Sequence, residues 1–321
     1  MRSARFVAVL AFLTHGALAA VPEFPNKPIR YIVATGPGGA SDLIGRTLGP
    51  ALSEMLGVQV VIDNRTGAGN TVGAEIAARA APDGYTLFSC NIASLAVGPA
   101  LYKKLGYDPE RDFAPIGMIV SNPNVLTVHP SLPARSIAQF IALAKANPGK
   151  LDYGSSGIGG AGHLAMALFA SMAGIEMTHV PYKGGAPAVV DLVAGRLSLM
   201  MANLTTAKPH IRAGRLRGLG VGTRARSPLF PDLPTIAESG LPGYEANNWN
   251  GVVAPAGTPK PLVAKLNHAI VAILKEPQTA ERLTAAGLEP IGDSPDEFGR
   301  YLKSEAVKWQ KLVKSMGLTA N

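Results

Sequence analysis

Ile29-Arg30-Tyr31-Ile32-Val33-Ala34 runs into Thr35-Gly36-Pro37-Gly38-Gly39, and Ala40-Ser41-Asp42-Leu43-Ile44 follows without a break. The first stretch is a short apolar run bounded by a glycine turn, the pattern of a strand covered on both faces. The last opens a helix. Strand, side-chain-poor loop and helix in that order make half of a parallel α/β unit, with the loop beyond the carboxyl edge of the sheet. Unpaired N–H groups and the positive end of a helix dipole favour an anion there. Glycine lets the backbone approach such a ligand with no Cβ in between.

The unit recurs at Gly67-Ala68-Gly69-Asn70-Thr71, at Gly154-Ser155-Ser156-Gly157-Ile158-Gly159-Gly160 and at Lys183-Gly184-Gly185-Ala186-Pro187. Two such loops from different parts of the chain could hold the two ends of a dianion; the alternative at each is turn geometry and close helix–strand packing. Around them the pattern predicts strands at Ile29–Thr35, Val58–Asp63, Tyr85–Cys90, Pro115–Val120, Val125–His129, Leu151–Ser155, Met177–Tyr182, Leu197–Asn203, Leu216–Thr223 and Asn248–Ala254. Alternation with helical patterns predicts an α/β protein with mainly parallel sheets. Three helices carry clear signals. Ser136 caps a run with Ile137, Phe140, Ile141 and Ala144 on one face, stopped by Asn147-Pro148-Gly149; Lys260–Lys275 turns Leu262, Leu266, Ile270 and Ile273 inward. Ser294-Pro295-Asp296-Glu297 is a capping box ahead of Phe298, Leu302, Glu305, Trp309 and Leu312. These helices are read as scaffold. Breaks at Ser121-Asn122-Pro123-Asn124 and across Pro228 to Tyr244 divide the chain into three blocks.

The 321 residues are 47% hydrophobic and 16% charged, with a single Cys, which excludes a disordered chain and an internal disulfide framework. Residues 1–20 read as a secretory signal, with Arg2 and Arg5, an apolar run from Phe6 to Leu13, and Ala17-Leu18-Ala19 for cleavage. Removing those arginines takes the net charge from +8 to 8 − 2 = +6. That is a mild bias toward anions; no run of Lys or Arg exceeds two, and no nucleic-acid signature is present. The apolar run is too short to span a membrane, so no direct membrane insertion is expected. Export with a lone Cys90 fits the periplasm of a Gram-negative bacterium, and Cys90 itself reads as a small buried hydrophobe at a strand end.

Sharper chemistries fail on the residues. Gly157-Ile158-Gly159-Gly160-Ala161-Gly162 matches G-x-G-x-x-G, but Glu176 precedes the next strand instead of ending it. No glycine loop continues into G-K-[ST]. Ser155 or Ser156 with His163 and Asp191 would make a paper triad, yet the G-x-S-x-G elbow is missing and no base is expected within reach of a nucleophile. His129, His163, His179, His210 and His268 lack metal-binding spacing. His163, one turn into its helix, reads as a satisfied structural histidine. No catalytic residue, metal ligand or cofactor is assigned.

Taken in order, the segments resemble one family, the substrate-binding proteins of tripartite tricarboxylate transporters (Bug or TctC proteins). The resemblance is carried by Phe24-Pro25-Asn26-Lys27-Pro28-Ile29-Arg30, Pro37-Gly38-Gly39-Ala40-Ser41-Asp42, Asp63-Asn64-Arg65-Thr66-Gly67-Ala68-Gly69 and Pro82-Asp83-Gly84-Tyr85-Thr86-Leu87. It continues through Pro99-Ala100-Leu101-Tyr102, Tyr153-Gly154-Ser155-Ser156-Gly157, His179-Val180-Pro181-Tyr182-Lys183-Gly184, Trp249-Asn250-Gly251 and Ala254-Pro255-Ala256-Gly257-Thr258-Pro259.

The resemblance implies a type II periplasmic binding protein fold, two α/β lobes joined by two crossing strands with a ligand cleft between them. Residues 21–121 plus 247–321 would form one lobe and 122–246 the other. It also implies a ligand carboxylate held, partly through water, between the first glycine loop and the second-lobe loop. By position these are Thr35, Gly36, Pro37, Gly38, Gly39, Ser41 and Asp42, and then Ser155, Ser156, Gly157, Ile158, Gly159 and Gly160. Asn91, Ser94 and Asn203 would also face the cleft.

Two departures stand out. The family usually has Pro where Ala34 or Thr35 stands, often with Phe, Tyr or Pro in place of Thr35-Gly36, and a Ser or Thr hydroxyl where this chain has Gly160. A different or less tightly clamped ligand is then expected. The function expected is a monomeric solute receptor that captures a small carboxylate (a di- or tricarboxylate, an amino acid or an aromatic acid) and presents it to membrane transport subunits. The alternatives are a sensor feeding a signalling partner and a Ser-dependent hydrolase.

Overall fold

The computed structural model describes residues 24–37, 39–67, 70–102, 104–182 and 184–319. The signal segment 1–20, and Gly38, Ala68, Gly69 and Lys183 of the glycine loops, lie outside the described residues. The first sheet is built from β1 (Ile29–Val33), β2 (Val60–Asn64), β3 (Thr86–Asn91), β4 (Phe113–Asn122), β10 (Asn248–Pro255) and the two-residue β11 (Glu289–Pro290), in the order β11-β4-β10-β3-β1-β2. The second holds β5 (Asn124–Val128), β6 (Asp152–Ser155), β7 (Thr178–Pro181), β8 (Leu199–Asn203) and β9 (Arg217–Val221), in the order β7-β6-β8-β5-β9. The ten predicted strands are all present, with ends shifted by up to two residues; β11 was not anticipated.

The sheets are mixed, which corrects the expectation of mainly parallel pairing. β1 pairs in parallel with β2 and β3, and β6 with β7 and β8. β10, however, runs antiparallel to β3 and β4, β11 antiparallel to β4, and β5 antiparallel to β8 and β9. An apolar run identifies a strand without giving its direction. β10 and β5 begin where the chain has just crossed from the other sheet, and they enter from the carboxyl edge.

Apolar residues on alternate positions bury both faces of each sheet. Ile29, Tyr31 and Val33 pack toward α1 (Ala40–Leu56), α8 (Lys260–Lys275) and α9 (Pro277–Ala285). Ile32, Phe88 and Cys90 face the core that α2 (Thr71–Ala78) and α10 (Pro295–Ser315) close. Cys90 is fully buried and unpaired, and burial raises its thiol far above the ordinary range, which makes it inert packing as expected. In the second sheet Leu126, Leu199 and Met201 face α4 (Ile137–Ala146) and α5 (Ala161–Ala173), while Val125, Met200 and Ala202 face α6 (Gly185–Val193) and α7 (Leu204–Arg212).

The caps form as predicted. Ser136 Oγ accepts from Gln139 N at 3.2 Å, and Ser294 with Glu297 makes a full capping box. In α8 the inward set is Val263, Leu266, Ile270 and Ile273, with Leu262 only half-buried. Glu305 on α10 is the exception to an apolar inner face. It is 1% exposed, and its carboxylate accepts both Trp249 Nε1 at 3.0 Å and Trp309 Nε1 at 2.9 Å beside Lys308. No helix of the described residues is long and apolar enough to cross a membrane.

Candidate functional site

The registers set the glycine-bearing edges of both sheets beside the crossing. Val33 pairs with Asn64 and with Ser89, so the loops after β1, β2 and β3 lie side by side. Asn250 pairs with Asn91, and Asn248 with Asn122, so the crossing residues 122–124 and 246–248 leave from that same edge. In the second sheet Ser155 pairs with Pro181, and Asn124 with Asn203, so the loops after β6 and β8 flank the same crossing. Asn248 Nδ2 donates to Asn203 Oδ1 at 2.8 Å across the junction. The second-sheet loop comes up against the first part of the chain, because a Cβ built on Gly159 would lie 3.2 Å from Leu101 Cδ1.

At the first loop, α1 starts from Gly39 with no side-chain cap, which leaves its first-turn amides unclaimed by one. Asn64 Nδ2 bonds Thr35 O and Asp42 Oδ1, both at 2.9 Å, and Arg46 Nε reaches Asp42 Oδ2 at 3.0 Å. Asp42 is buried in this frame, with its charge answered by Arg46. Gly36 and Gly39 are half-buried and Pro37 is exposed, while Gly38 is outside the described residues. Thr35 Oγ1 and Ser41 Oγ are buried with no hydrogen-bond partner among the described residues. A Cβ on Gly39 would lie 2.8 Å from Thr35 Oγ1, 2.9 Å from Thr35 Cβ and 3.2 Å from Gly36 O, so glycine there is required by the turn itself.

Asn91 and Ser94 tie each other down. Asn91 N donates to Ser94 Oγ, Ser94 N to Asn91 Oδ1 and Ser94 Oγ to Asn91 O, each at 3.0 Å. Ser94 is fully buried, and Asn91 is buried too, with Oδ1 also reached by Asn70 Nδ2 at 3.5 Å. Asn203 is exposed at the junction.

The two serines of the second loop part ways. Ser155 is 0% exposed; its Oγ lies 2.7 Å from His179 Nε2 and 3.1 Å from both the N and the O of Gly157. Ser156 is exposed, Ile158 is 71% exposed, and Gly157, Gly159 and Gly160 are half-buried. Gly160 is the uncapped N-cap of α5, and a Cβ there would lie 2.8 Å from Ser156 Oγ and 3.1 Å from Gly157 O. The Ser156 hydroxyl thus occupies the space that the absent side chain at 160 leaves.

Sequence reading missed His179. Tyr153 and Ser155 point to one face of β6, and the Tyr153–His179 register sets the imidazole beside both. The pair Ser155–His179 is a hydroxyl with a base in reach, which was not expected. The only signal was His179-Val180-Pro181, a histidine inside a strand leading to a glycine loop. His163 is the satisfied histidine predicted: its Nδ1 accepts from Gly159 N at 3.1 Å. A cavity of about 860 Å³ lies at the opposite edge of the first sheet, between Phe113, Val263 and Leu302, and none of the predicted site residues lines it. Among the described residues no cluster of His, Cys, Asp and Glu could hold a metal ion.

Comparison with known proteins adds the following. A family model described as the tripartite tricarboxylate transporter family receptor, TctC, matches residues 44–318. A Pseudomonas sp. (strain P51) protein, the UPF0065 protein in the tcbD-tcbE intergenic region, is 42% identical over 93% of this chain and 89% of its own length. The structure of Rhodopseudomonas palustris Rpa4515 with adipate is 40% identical, covers 92% of this chain and 99% of that one, and superposes with a TM-score of 0.75. That of MatC from the same organism with bound malate is 31% identical, covers 90% and 100%, and has a TM-score of 0.71.

Proposed function

The chain belongs to the TctC family of tripartite tricarboxylate transporter receptors, and from that premise we propose that it is a periplasmic receptor for a small dicarboxylate of the adipate or malate type. Residues 21–121 with 247–321, and 122–246, are its two lobes, and the ligand lies between them. One carboxylate is held at Thr35, Gly36, Pro37, Gly38 and Gly39 with the Ser41 hydroxyl, the other at Ser156, Gly157, Ile158, Gly159 and Gly160. Asn91 and Asn203 border the space, and the exposed Ile158 covers the ligand's carbon chain. The observation that carries the reading is that α1 and α5 both begin at glycines without a side-chain cap, on sheet edges that flank one crossing. Charge-assisted bonds from backbone amides strengthen as closing lobes exclude water, and no covalent step is required. The two unsatisfied hydroxyls of Thr35 and Ser41 match carboxylate oxygens as acceptors.

The monomer is exported by residues 1–20, is not an enzyme, and hands its ligand to membrane subunits on lobe closure; a signalling partner would read the same closure. The test is a thermal shift against mono-, di- and tricarboxylates, amino acids and aromatic acids. A true ligand at 100 times its Kd stabilises by about 2.7 kcal/mol. The Ser155–His179 contact favours one rival, a hydrolase. No shift with any carboxylate, together with ester or phosphate turnover abolished by Ser155→Ala, would establish that rival instead.

A further inference from the structure

Three near-parallel rings lie beneath the second glycine loop. His163 of α5 stacks on His179 of β7 at 4.0 Å and 20°, and Tyr153 of β6 lies 4.9 Å from His179 and 6.4 Å from His163. Each imidazole bonds the loop above it: His163 Nδ1 accepts Gly159 N at 3.1 Å, and His179 Nε2 meets Ser155 Oγ at 2.7 Å. Ser155 Oγ in turn holds Gly157 N, and Gly160 N turns back onto Gly157 O at 3.2 Å. These bonds account for the amides of Gly157, Gly159 and Gly160. Those of Ser156, Ile158, Ala161 and Gly162 donate to no acceptor among the described residues.

We propose that His163 and His179 are positioning residues of the carboxylate site: the stacked pair holds the loop, by the bare Nδ1 of His163 and the hydroxyl set by His179, in the shape that leaves the Ser156, Ile158, Ala161 and Gly162 amides to a ligand. The inference rests on the reading of this loop as a carboxylate cradle. Its chemistry requires an unprotonated Nδ1, because a proton there would face the Gly159 N–H as one donor against another. Two imidazoles 4.0 Å apart also resist carrying like charges. Among the described residues no anion offsets this. Tyr153 is the third ring of the stack, β8 turns Leu199 and Met201 toward α5, and Tyr244 bonds Ala165 O on α5. Asp191 of α6 is bound by Tyr182 and Arg196, and Glu305 of α10 by Trp249, Trp309 and Lys308. Burial accordingly lowers His163 to about 4, with His179 adding to the effect, and burial lowers His179 as well.

The experiment combines NMR with variants of the full mature chain. In the wild type, imidazole nitrogen spectra should show His163 protonated at Nε2 only, and the Gly159 amide shift should titrate with the same midpoint as His163. His163→Asn keeps an acceptor in the place of Nδ1 and should leave Gly159 amide exchange and adipate or malate affinity within about threefold. His163→Phe keeps a stacking ring without the acceptor, and should speed that exchange and weaken that affinity by about tenfold, the loss of one hydrogen bond. A Gly159 amide indifferent to the His163 titration, or an Asn variant as impaired as the Phe variant, would overturn the proposal. If the wild type binds neither acid while the amide data behave as expected, the positioning role stands and the carboxylate reading falls.

Discussion

Removing the Glu305 carboxylate should unsettle the return crossing between the lobes. Both tryptophans of the chain donate their indole N–H to this one buried group, Trp249 from the start of strand β10 and Trp309 from α10. Glu305→Leu leaves two buried donors without an acceptor, and at about 1–3 kcal/mol each the loss is about 2–6 kcal/mol. Lys308 adds little to that figure, since its ammonium also reaches Glu245 O at 2.9 Å. Glu305→Gln retains an acceptor oxygen and should lose only the charge assistance, about 1–2 kcal/mol. Because both tryptophans sit on the perturbed group, their emission reports the site directly. Urea unfolding followed by fluorescence should therefore show a lower midpoint in the order wild type, Gln, Leu. Trp249 packs edge-on against Phe298 and Tyr301, at 5.8 and 5.9 Å, so the damage should reach the face of α10. A Leu variant within about 1 kcal/mol of wild type, with unchanged slope, would refute the claim that these indoles depend on the carboxylate.

Other outcomes follow from single contacts. Ser156→Ala should weaken dicarboxylate binding about fivefold, and adding Gly160→Ser, whose Cβ the removed hydroxyl would have crowded, should restore it; calorimetry that finds the double variant no better than the single one would reject the exchange of hydroxyls. Burial raises the Asp293 carboxyl to about 6 although it accepts Met118 N at 2.6 Å, so the folded chain keeps a proton that the unfolded chain has released above about 4. Its contribution is full below that pH and is lost as pH rises through 6; Asp293→Asn should flatten this slope, and equal urea midpoint slopes between pH 4.5 and 7.5 in both chains would count against it. Asn203→Ala breaks the 2.8 Å bond to Asn248 and should lower ligand affinity about fivefold, with unaltered binding excluding Asn203 from the site.

The amino-acid order by itself was enough for the strands, the capped helices and the glycine loops between them. Apolar spacing, Ser136, the Ser294–Glu297 box and glycine at turns act within a few residues of themselves. Strand direction was not legible, because β5 and β10 run as they do on account of where the chain crosses between sheets, and an apolar run is the same read either way. Nor could neighbouring hydroxyls be told apart: Ser155 and Ser156 differ by one position, but alternation sends one down onto His179 and the other out to solvent. Tertiary packing alone set His163 against His179 and brought Trp249 to Glu305, which Trp309 already reaches from one helical turn away. His163 and His179, like Trp249 and Glu305, sit on separate elements, and a buried polar group takes as its acceptor whatever the fold brings within reach.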